Sequence, residues 1–309
     1  MNSINIAVGI VLYNPSPIDR FVLCLNSIFK QCKKVYIFDN SSNEIDFQNK
    51  DKVVYLRENK NQGISYALNK MMEKAKKDNV DWLITMDQDS IIPDNMIREY
   101  KKAIISTNEN IGIICPQVVD LRREYMKIKQ TPEIEFVDFC ITSASCTSIK
   151  VWKKIGKFDD YLFIDLVDND FCKRLISSGY KILRINSLVL NQEFGNIIPK
   201  KGVAKKFWLF VSKLFNNQNL AKLSYKKFVN PVRVYYTCRN ILYVNKKLQK
   251  YGKTGYKENY NCSSYFGFIF CFIIPSFLRS NNKIITLKAI YDGTKEGITT
   301  NVKPWKIQK

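Results

Sequence analysis

Trp82-Leu83-Ile84-Thr85-Met86-Asp87-Gln88-Asp89-Ser90 decides the reading of this chain: an apolar run opens directly into two carboxylates one residue apart. A strand buried on both faces reads as continuous apolar sequence, and only its end is free to present polar groups. Further back, Ile6-Ala7-Val8-Gly9-Ile10-Val11-Leu12 is a run of the same kind, ending at the turn signal Asn14-Pro15. Val35-Tyr36-Ile37-Phe38 stops at the loop cluster Asp39-Asn40-Ser41-Ser42-Asn43, and Val53-Val54-Tyr55-Leu56 is a third strand. Between them, Phe21, Leu25, Ile28 and Phe29 show helical spacing within 18–32, and a second helix is expected over 63–75. Strands alternating with helices predict an α/β fold with a mostly parallel sheet flanked by helices. Ligands of such sheets sit beyond the carboxyl ends of the strands. Asn14, Asp39 and Asp87 close three of these strands and are expected to face one crevice.

The remaining composition narrows the chemistry. With 309 residues, 46% apolar, and only 12 Gly and 9 Pro, the chain is an ordinary globular protein, neither disordered nor fibrous. A formal net charge of +21 points to a polyanionic surface such as nucleic acid, anionic lipid or a phosphorylated ligand. An AT-rich coding bias toward Lys, Asn and Ile is the bland alternative. Nucleic acid is set aside, because no RRM, KH or helix-turn-helix signature is present and the lysines are scattered. There is no histidine. That removes His-based triads, His metal ligands and a His general base, leaving carboxylates, a metal ion or both. The nine cysteines form no C-x-x-C pair, and several lie in apolar runs such as Ile113-Ile114-Cys115. They read as reduced, buried thiols of a cytoplasmic protein. The first residues lack a basic n-region, so no secretory signal is expected.

Asp87 and Asp89 suit a hard divalent cation, Mg²⁺ or Mn²⁺, which takes oxygen ligands and keeps positions open for phosphate oxygens. A diphosphate leaving group needs such neutralisation. Two solvated loop acids are the alternative. A second acidic cluster follows at Phe163-Ile164-Asp165-Leu166-Val167-Asp168-Asn169-Asp170-Phe171-Cys172-Lys173-Arg174. Arg174 stands four residues after Asp170, the spacing of a helical ion pair. Asp168 is then left near the helix start, able to take a proton from a hydroxyl. An acidic first turn answering the helix dipole is the alternative here.

These segments together resemble glycosyltransferase family 2 with the GT-A fold, in particular its rhamnosyltransferase-type members. Val11-Leu12-Tyr13-Asn14-Pro15 resembles the first-strand signature, and Phe38-Asp39-Asn40-Ser41-Ser42 the second, whose Asp recognises the nucleotide base. Asn59-Lys60-Asn61-Gln62-Gly63-Ile64 is similar to the N-x-G-I helix start, and Asp87-Gln88-Asp89 occupies the D-x-D place. Gly156-Lys157-Phe158-Asp159 and the acidic cluster fit the acceptor block, with Asp168 at the catalytic base and Asp165, Asp170 and Arg174 on the acceptor side. Pro231 to Asn240 is similar to a Tyr-Tyr…Arg-Asn element of this subgroup.

The resemblance implies a nucleotide-sugar site of Tyr13, Asn14, Asp39, Asn61, Gly63 and Asp87, and a metal held by Asp87, Asp89 and Gln192. Gln192 stands near where family members often carry a His. Ala144 stands where the subgroup has Gly, which implies a narrower acceptor pocket. The Q-x-x-R-W signature of processive synthases is absent, so addition of one sugar is expected. The implied activity is inverting transfer, most simply of rhamnose from dTDP-rhamnose, to a saccharide acceptor built on a lipid diphosphate. A UDP-hexose or galactofuranose transferase, or an inactive scaffold of the same fold, stays open.

Beyond residue 200 lysine pairs alternate with aromatic clusters such as Phe207-Trp208-Leu209-Phe210. The chain is therefore expected to divide into a catalytic domain, 1–200, and a helical, basic region, 201–309, that associates with an anionic membrane surface. Its longest uncharged apolar stretch, 265–278, is broken by Gly267 and Pro275 and reads as too short to span a bilayer. A core helix is the competing reading of that stretch.

Overall fold

The computed structural model describes residues 4–123, 125–195 and 197–307. Among them, eight strands form one sheet in the order β3-β2-β1-β4-β7-β5-β8-β6: β1 (Ile6–Leu12), β2 (Val35–Asp39), β3 (Val53–Arg57), β4 (Trp82–Asp87), β5 (Ile111–Val119), β6 (Ile134–Val137), β7 (Ser145–Ser148) and β8 (Lys181–Asn191). The first four are mutually parallel, as are β5 and β8, while β7 runs antiparallel between β4 and β5 and β6 antiparallel on β8. This is the mostly parallel sheet that the apolar runs predict. Register sets the site: Leu12 lies opposite Asp39 and Val11 opposite Asp87, so the two acidic strand ends flank the end of β1.

Alternation along β1 assigns its faces. Ile6, Val8, Ile10 and Leu12 join a core with Phe21, Leu25 and Ile28 of α1 (Ile18–Phe29), shared with Met96, Ile97 and Tyr100. On the other face Gly9 leaves room for α2 (Ile64–Lys77), whose Met71 Sδ would stand 3.1 Å from a Cβ added there. Met96, Ile97 and Tyr100 belong to α3 (Met96–Ser106); α4 (Ile149–Lys154) and α5 (Val167–Ser177) complete this part.

The chain divides into two compact units. One takes the chain up to Val119 with Ile128–Gln192, and the other takes Asp120–Lys127 with Glu193–Lys306. The second holds a short antiparallel pair, β9 (Ile197–Pro199) and β10 (Tyr225–Lys227), and helices α6 (Val203–Leu214), α7 (Gln218–Ala221), α8 (Pro231–Lys247), α9 (Tyr256–Tyr260), α10 (Tyr265–Phe268), α11 (Ile274–Arg279) and α12 (Lys283–Thr299). Helices α8 and α12 meet closely because Gly293 and Gly297, one turn apart, lie against the Tyr235 and Arg239 carbonyls. Arg239 also pairs with Glu296 at 3.3 Å, which gives the Tyr-Tyr…Arg-Asn element a packing role.

Taken as one helical run, Tyr256–Arg279 is 24 residues long and apolar enough to cross a membrane by length and composition, and only 6% of its apolar window is buried. The 265–278 stretch is therefore not a core helix. The run is interrupted: Asn261 is left-handed at φ 50, and helix resumes after the Ser264 cap. The uninterrupted part, 265–279 with a π-helical turn at Ile269–Ile273, is roughly 22 Å long at ~1.5 Å per residue. That is shorter than the ~30 Å hydrocarbon core.

Candidate active site

Asp87 ends β4, where its backbone N–H donates to Ser143 Oγ at 3.4 Å and its Oδ2 accepts from Gln192 Nε2. Asp87 and Asp89 are both half-buried. Cys24 Sγ donates to the Asp87 carbonyl at 3.6 Å. Burial first, then Asp89 and Asp87, push Cys24 up to about 12. Between the two acids Gln88 does structural work that the sequence reading missed: Oε1 accepts from the Tyr13 N–H at 2.7 Å and Nε2 donates to the Tyr13 carbonyl at 3.1 Å. This two-way amide clamp leaves Tyr13 half-exposed at the end of β1 (51%). Asn14, at φ 39, is pinned by its N–H to Ser41 Oγ at 2.8 Å and accepts from the Ser42 N–H at 3.1 Å.

Asp39 is buried (1%). Its carboxylate accepts from the Ser41 N–H at 2.8 Å, from Tyr55 Oη and from Arg57 Nη1 at 2.7 Å. Burial alone would raise its pKa, but the hydrogen bonds from Ser41 and Tyr55 outweigh it and hold the carboxyl below the usual range. An Asp so enclosed orients the groups around it, above all the partly exposed Arg57.

Asn61 and Gly63 tie the first half of the sheet to the acidic block. Asn61 Oδ1 accepts from the Gly63 N–H at 2.9 Å, and the Ile64 N–H donates to the Phe163 carbonyl at 2.7 Å. Gly63 adopts φ 86, and a Cβ there would come within 2.6 Å of Phe163. Glycine is required on both counts. Further along α2, Asn69 Oδ1 accepts from Trp152 Nε1 and the Phe158 N–H, both at 3.0 Å, a junction that sequence reasoning left unassigned.

The block itself is strained where it turns into α5. Asp165 (φ 64) and Leu166 (φ 63) are consecutive left-handed residues, neither of them glycine. Each costs on the order of 1–2 kcal/mol, and such strain clusters at functional sites. Asp168 follows in the first helical turn. Burial is the main cause that pushes its carboxyl up to about 7, with Cys140 and Asp165 adding to the rise against hydrogen bonds from the Asn169 and Asp168 backbone. Cys140 also receives a hydrogen bond at its carbonyl from Cys172 Sγ, at 3.5 Å. The 140–143 segment thus meets α5 at Cys172 and the end of β4 at Asp87, bonded to Ser143.

The acceptor-side role expected for Asp170 and Arg174 is corrected by their burial. Both lie within the protein (0% and 1% exposed) as an ion pair at 2.6 Å, and Arg174 also donates to the carbonyls of Ile155 and Lys157, at 2.9 and 2.7 Å. The spacing did predict the pair; its work is to brace the loop before the acidic block.

Among the described residues no three Asp, Glu or Cys side chains gather as a metal cluster. The oxygen-bearing groups in contact at the end of β4 are the Asp87 carboxylate and the Gln192 amide, with Asp89 two residues further along the chain. Gln192 Oε1 is buried with no hydrogen-bond partner, while Nε2 meets Asp87. Turning the amide over would present that orphan oxygen on the side of Asp87. An all-oxygen set of this kind fits a hard divalent cation.

A family profile described as "Glycosyl transferase family 2" matches residues 7–162. A dTDP-rhamnosyl transferase, RfbF of Shigella flexneri, is 28% identical over 223 residues, which is 63% of this chain and 71% of that protein. Two solved structures share the fold. The mannosyltransferase PcManGT of Pyrobaculum calidifontis, in complex with GDP-Man and Mn²⁺, matches with a TM-score of 0.52 at 12% identity, covering 96% of this chain and 76% of that one. GalNAc-T7 with UDP, GalNAc and Mn²⁺ matches with a TM-score of 0.52 at 14% identity over 88% of this chain, which spans only 57% of that one. Asp168 lies just past the matched stretch. Because the profile covers half of the chain and takes in the sheet from β1 to β7, the protein belongs to glycosyl transferase family 2 and is a glycosyltransferase.

Proposed function

We propose that the protein transfers one sugar, rhamnose from dTDP-rhamnose, with inversion, onto a lipid-linked saccharide in the synthesis of a cell-surface polysaccharide such as O-antigen or capsule. The observation that carries the chemistry is Asp168, a carboxylate pushed up to about 7 beside a strained helix start. A base works best when its pKa lies near the operating pH. The donor assignment is supported by the relative in Shigella flexneri.

On this reading Asp168 takes the proton of the acceptor hydroxyl as its oxygen attacks the anomeric carbon, in line with the departing nucleoside diphosphate. Asp87, Asp89 and Gln192 would hold Mg²⁺ or Mn²⁺, which neutralises charge on the diphosphate. Tyr13 offers an exposed ring to the nucleotide, and Asp39 serves it by fixing Arg57. A thermal-shift screen of dTDP-rhamnose, UDP-hexoses and UDP-galactofuranose with and without Mn²⁺ tests the donor. A rise with dTDP-rhamnose is expected; a rise with a UDP-sugar alone replaces it. Absence of nucleoside diphosphate release with every donor would support an inactive scaffold.

The same reading has the protein working at the inner face of the cell membrane as a peripheral protein. Support comes from the second unit. Helix α6 buries none of its residues and exposes Val203, Phe207, Phe210 and Leu214 along one face, and Phe266, Phe270, Ile274 and Leu278 form a second exposed row. Apolar rows among lysines suit an anionic bilayer surface. Flotation with anionic vesicles at low and high salt tests this, and failure to float at low salt removes the membrane claim.

A further inference from the structure

Two sulfur atoms meet where the 140–143 segment passes α5. All nine cysteines are free thiols. Cys140 lies in the stretch that leads to β7, and Cys172 sits on α5, four residues after Asp168. Their Sγ atoms stand 3.8 Å apart, and Cys172 Sγ is also placed to donate to the Cys140 carbonyl at 3.5 Å. Ser145 Oγ lies within donating reach of Cys140 Sγ, at 3.5 Å. Cys140 keeps partial exposure, whereas Cys172 is buried. Most buried cysteines pack as small apolar groups. This pair differs, because a disulfide asks only that the sulfurs close from 3.8 Å to about 2.05 Å.

The two thiols are unlike, which sets the order in which they react. Hydrogen bonds from Cys115 and Cys172 hold the Cys140 thiol well below the usual range, while the bond to Cys140 and then burial push Cys172 up. The more exposed sulfur is thus the one with thiolate character. The contact also joins two places that carry site residues. Cys172 and Asp168 share a face of α5 at helical spacing. At the other end of the segment, Ser143 Oγ accepts from the Asp87 N–H at 3.4 Å and donates to Ser90 Oγ at 3.2 Å. Drawing Cys140 and Cys172 together therefore loads both the helix that carries Asp168 and the segment that braces the end of β4.

We propose that Cys140 and Cys172 form a reversible disulfide on reaction with hydrogen peroxide, and that this bond turns sugar transfer down. The Cys140 thiolate attacks one peroxide oxygen and the O–O bond breaks. Hydroxide leaves, takes up the proton that Cys140 had lost, and Cys140 becomes a sulfenic acid. The Cys172 sulfur then attacks the Cys140 sulfur, the S–O bond breaks, and the hydroxyl departs as water with the Cys172 proton. Two thiols lose two electrons in all, and one peroxide becomes two waters. A dithiol reductant reverses the bond by exchange. Turnover falls because a misplacement of ~1 Å in a reacting group costs on the order of 10²-fold in rate. The bond itself is independent of the function proposed above; the loss of turnover rests on Asp168 as the base.

Peptide mapping of the full chain tests the bond. The protein is treated with hydrogen peroxide and unfolded, its remaining thiols are alkylated, and its peptides are read by mass spectrometry. A peptide cross-linked between Cys140 and Cys172 is expected, and it should vanish after dithiothreitol. Nucleoside diphosphate release should fall at least about tenfold on oxidation and return on reduction. Cys140→Ser should keep its own untreated turnover through the same treatment. Cys172→Ala should form no cross-link and instead give a dimedone adduct at Cys140, the trapped sulfenic acid. Alkylation of both positions in peroxide-treated wild type overturns the bond. A bond that forms with turnover unchanged overturns its control of transfer, as does an equal loss of turnover in Cys140→Ser. Should untreated protein release no diphosphate from any donor, the transfer reading falls and the mapped peptide still decides the bond.

Discussion

Helices α1 and α6 carry the same kind of sequence and meet opposite fates. Phe21, Leu25 and Ile28 of α1 are sealed under the sheet, whereas Phe207, Phe210 and Leu214 of α6 stand in the open. The contrast extends to the units that contain them. The first packs one continuous core against its sheet from β2 to β8; the second leaves apolar rows exposed. A helical period names the apolar face of a helix but not what covers it. Cover comes from the rest of the fold in one unit and, on our proposal, from a membrane in the other.

The largest effect that should separate the units is catalytic. Asp168→Asn is expected to lower turnover by roughly 10²–10⁴-fold, measured as nucleoside diphosphate release, with vesicle flotation unchanged. In wild type kcat/KM should rise tenfold per pH unit below about 7 and level off above it, as Asp168 loses its proton; the rise should vanish in the variant. Stability should run the other way. A carboxyl raised in the folded state stabilises at low pH and loses that contribution as pH climbs through about 7. Asp168→Asn should therefore raise Tm at pH 8 and leave it nearly unchanged at pH 4. A turnover loss of less than about threefold would remove Asp168 as the base.

Next come the two arginines. Arg174→Met breaks a buried pair and is expected to cost about 3–5 kcal/mol in denaturant unfolding. Arg279→Met deletes a cation with no hydrogen-bond or ion-pair partner among the described residues and should leave stability equal or higher, so equal losses at both positions would erase the contrast. The phenylalanines sharpen it further: Phe21→Ala should cost about 3–5 kcal/mol and Phe210→Ala no more than about 0.5 kcal/mol, while only the latter weakens flotation. The smallest effect is at Ala144, buried at φ 59 where glycine is the easier residue. Ala144→Gly should change stability by less than about 1 kcal/mol, in the stabilising direction if strain exceeds the added freedom of the unfolded chain.

The first four strands were legible because each is a continuous apolar run with a polar stop, and β1 occupies the predicted residues, Ile6–Leu12. Strand β7 was not, since Ser145-Cys146-Thr147-Ser148 shows neither an apolar run nor alternation, and its place between β4 and β5 comes from long-range pairing alone. The excursion of Asp120–Lys127 into the second unit is equally non-local. In the site, carboxylates at strand and helix ends could be named from spacing. Their supports could not: the amide clamp of Gln88 on Tyr13, the enclosure of Asp39 by Tyr55 and Arg57, and the orphan oxygen of Gln192 depend on which loops meet.

The bond from the Ile64 N–H to the Phe163 carbonyl, with Gly63 wedged against the Phe163 ring, has a bearing on engineering. Exchanging the 159–166 loop between relatives exchanges a surface against which α2 begins. A donated loop therefore has to bring its own match at 63 and 64, and a chimera that crosses between those two segments should fail by misfit before selectivity can be measured.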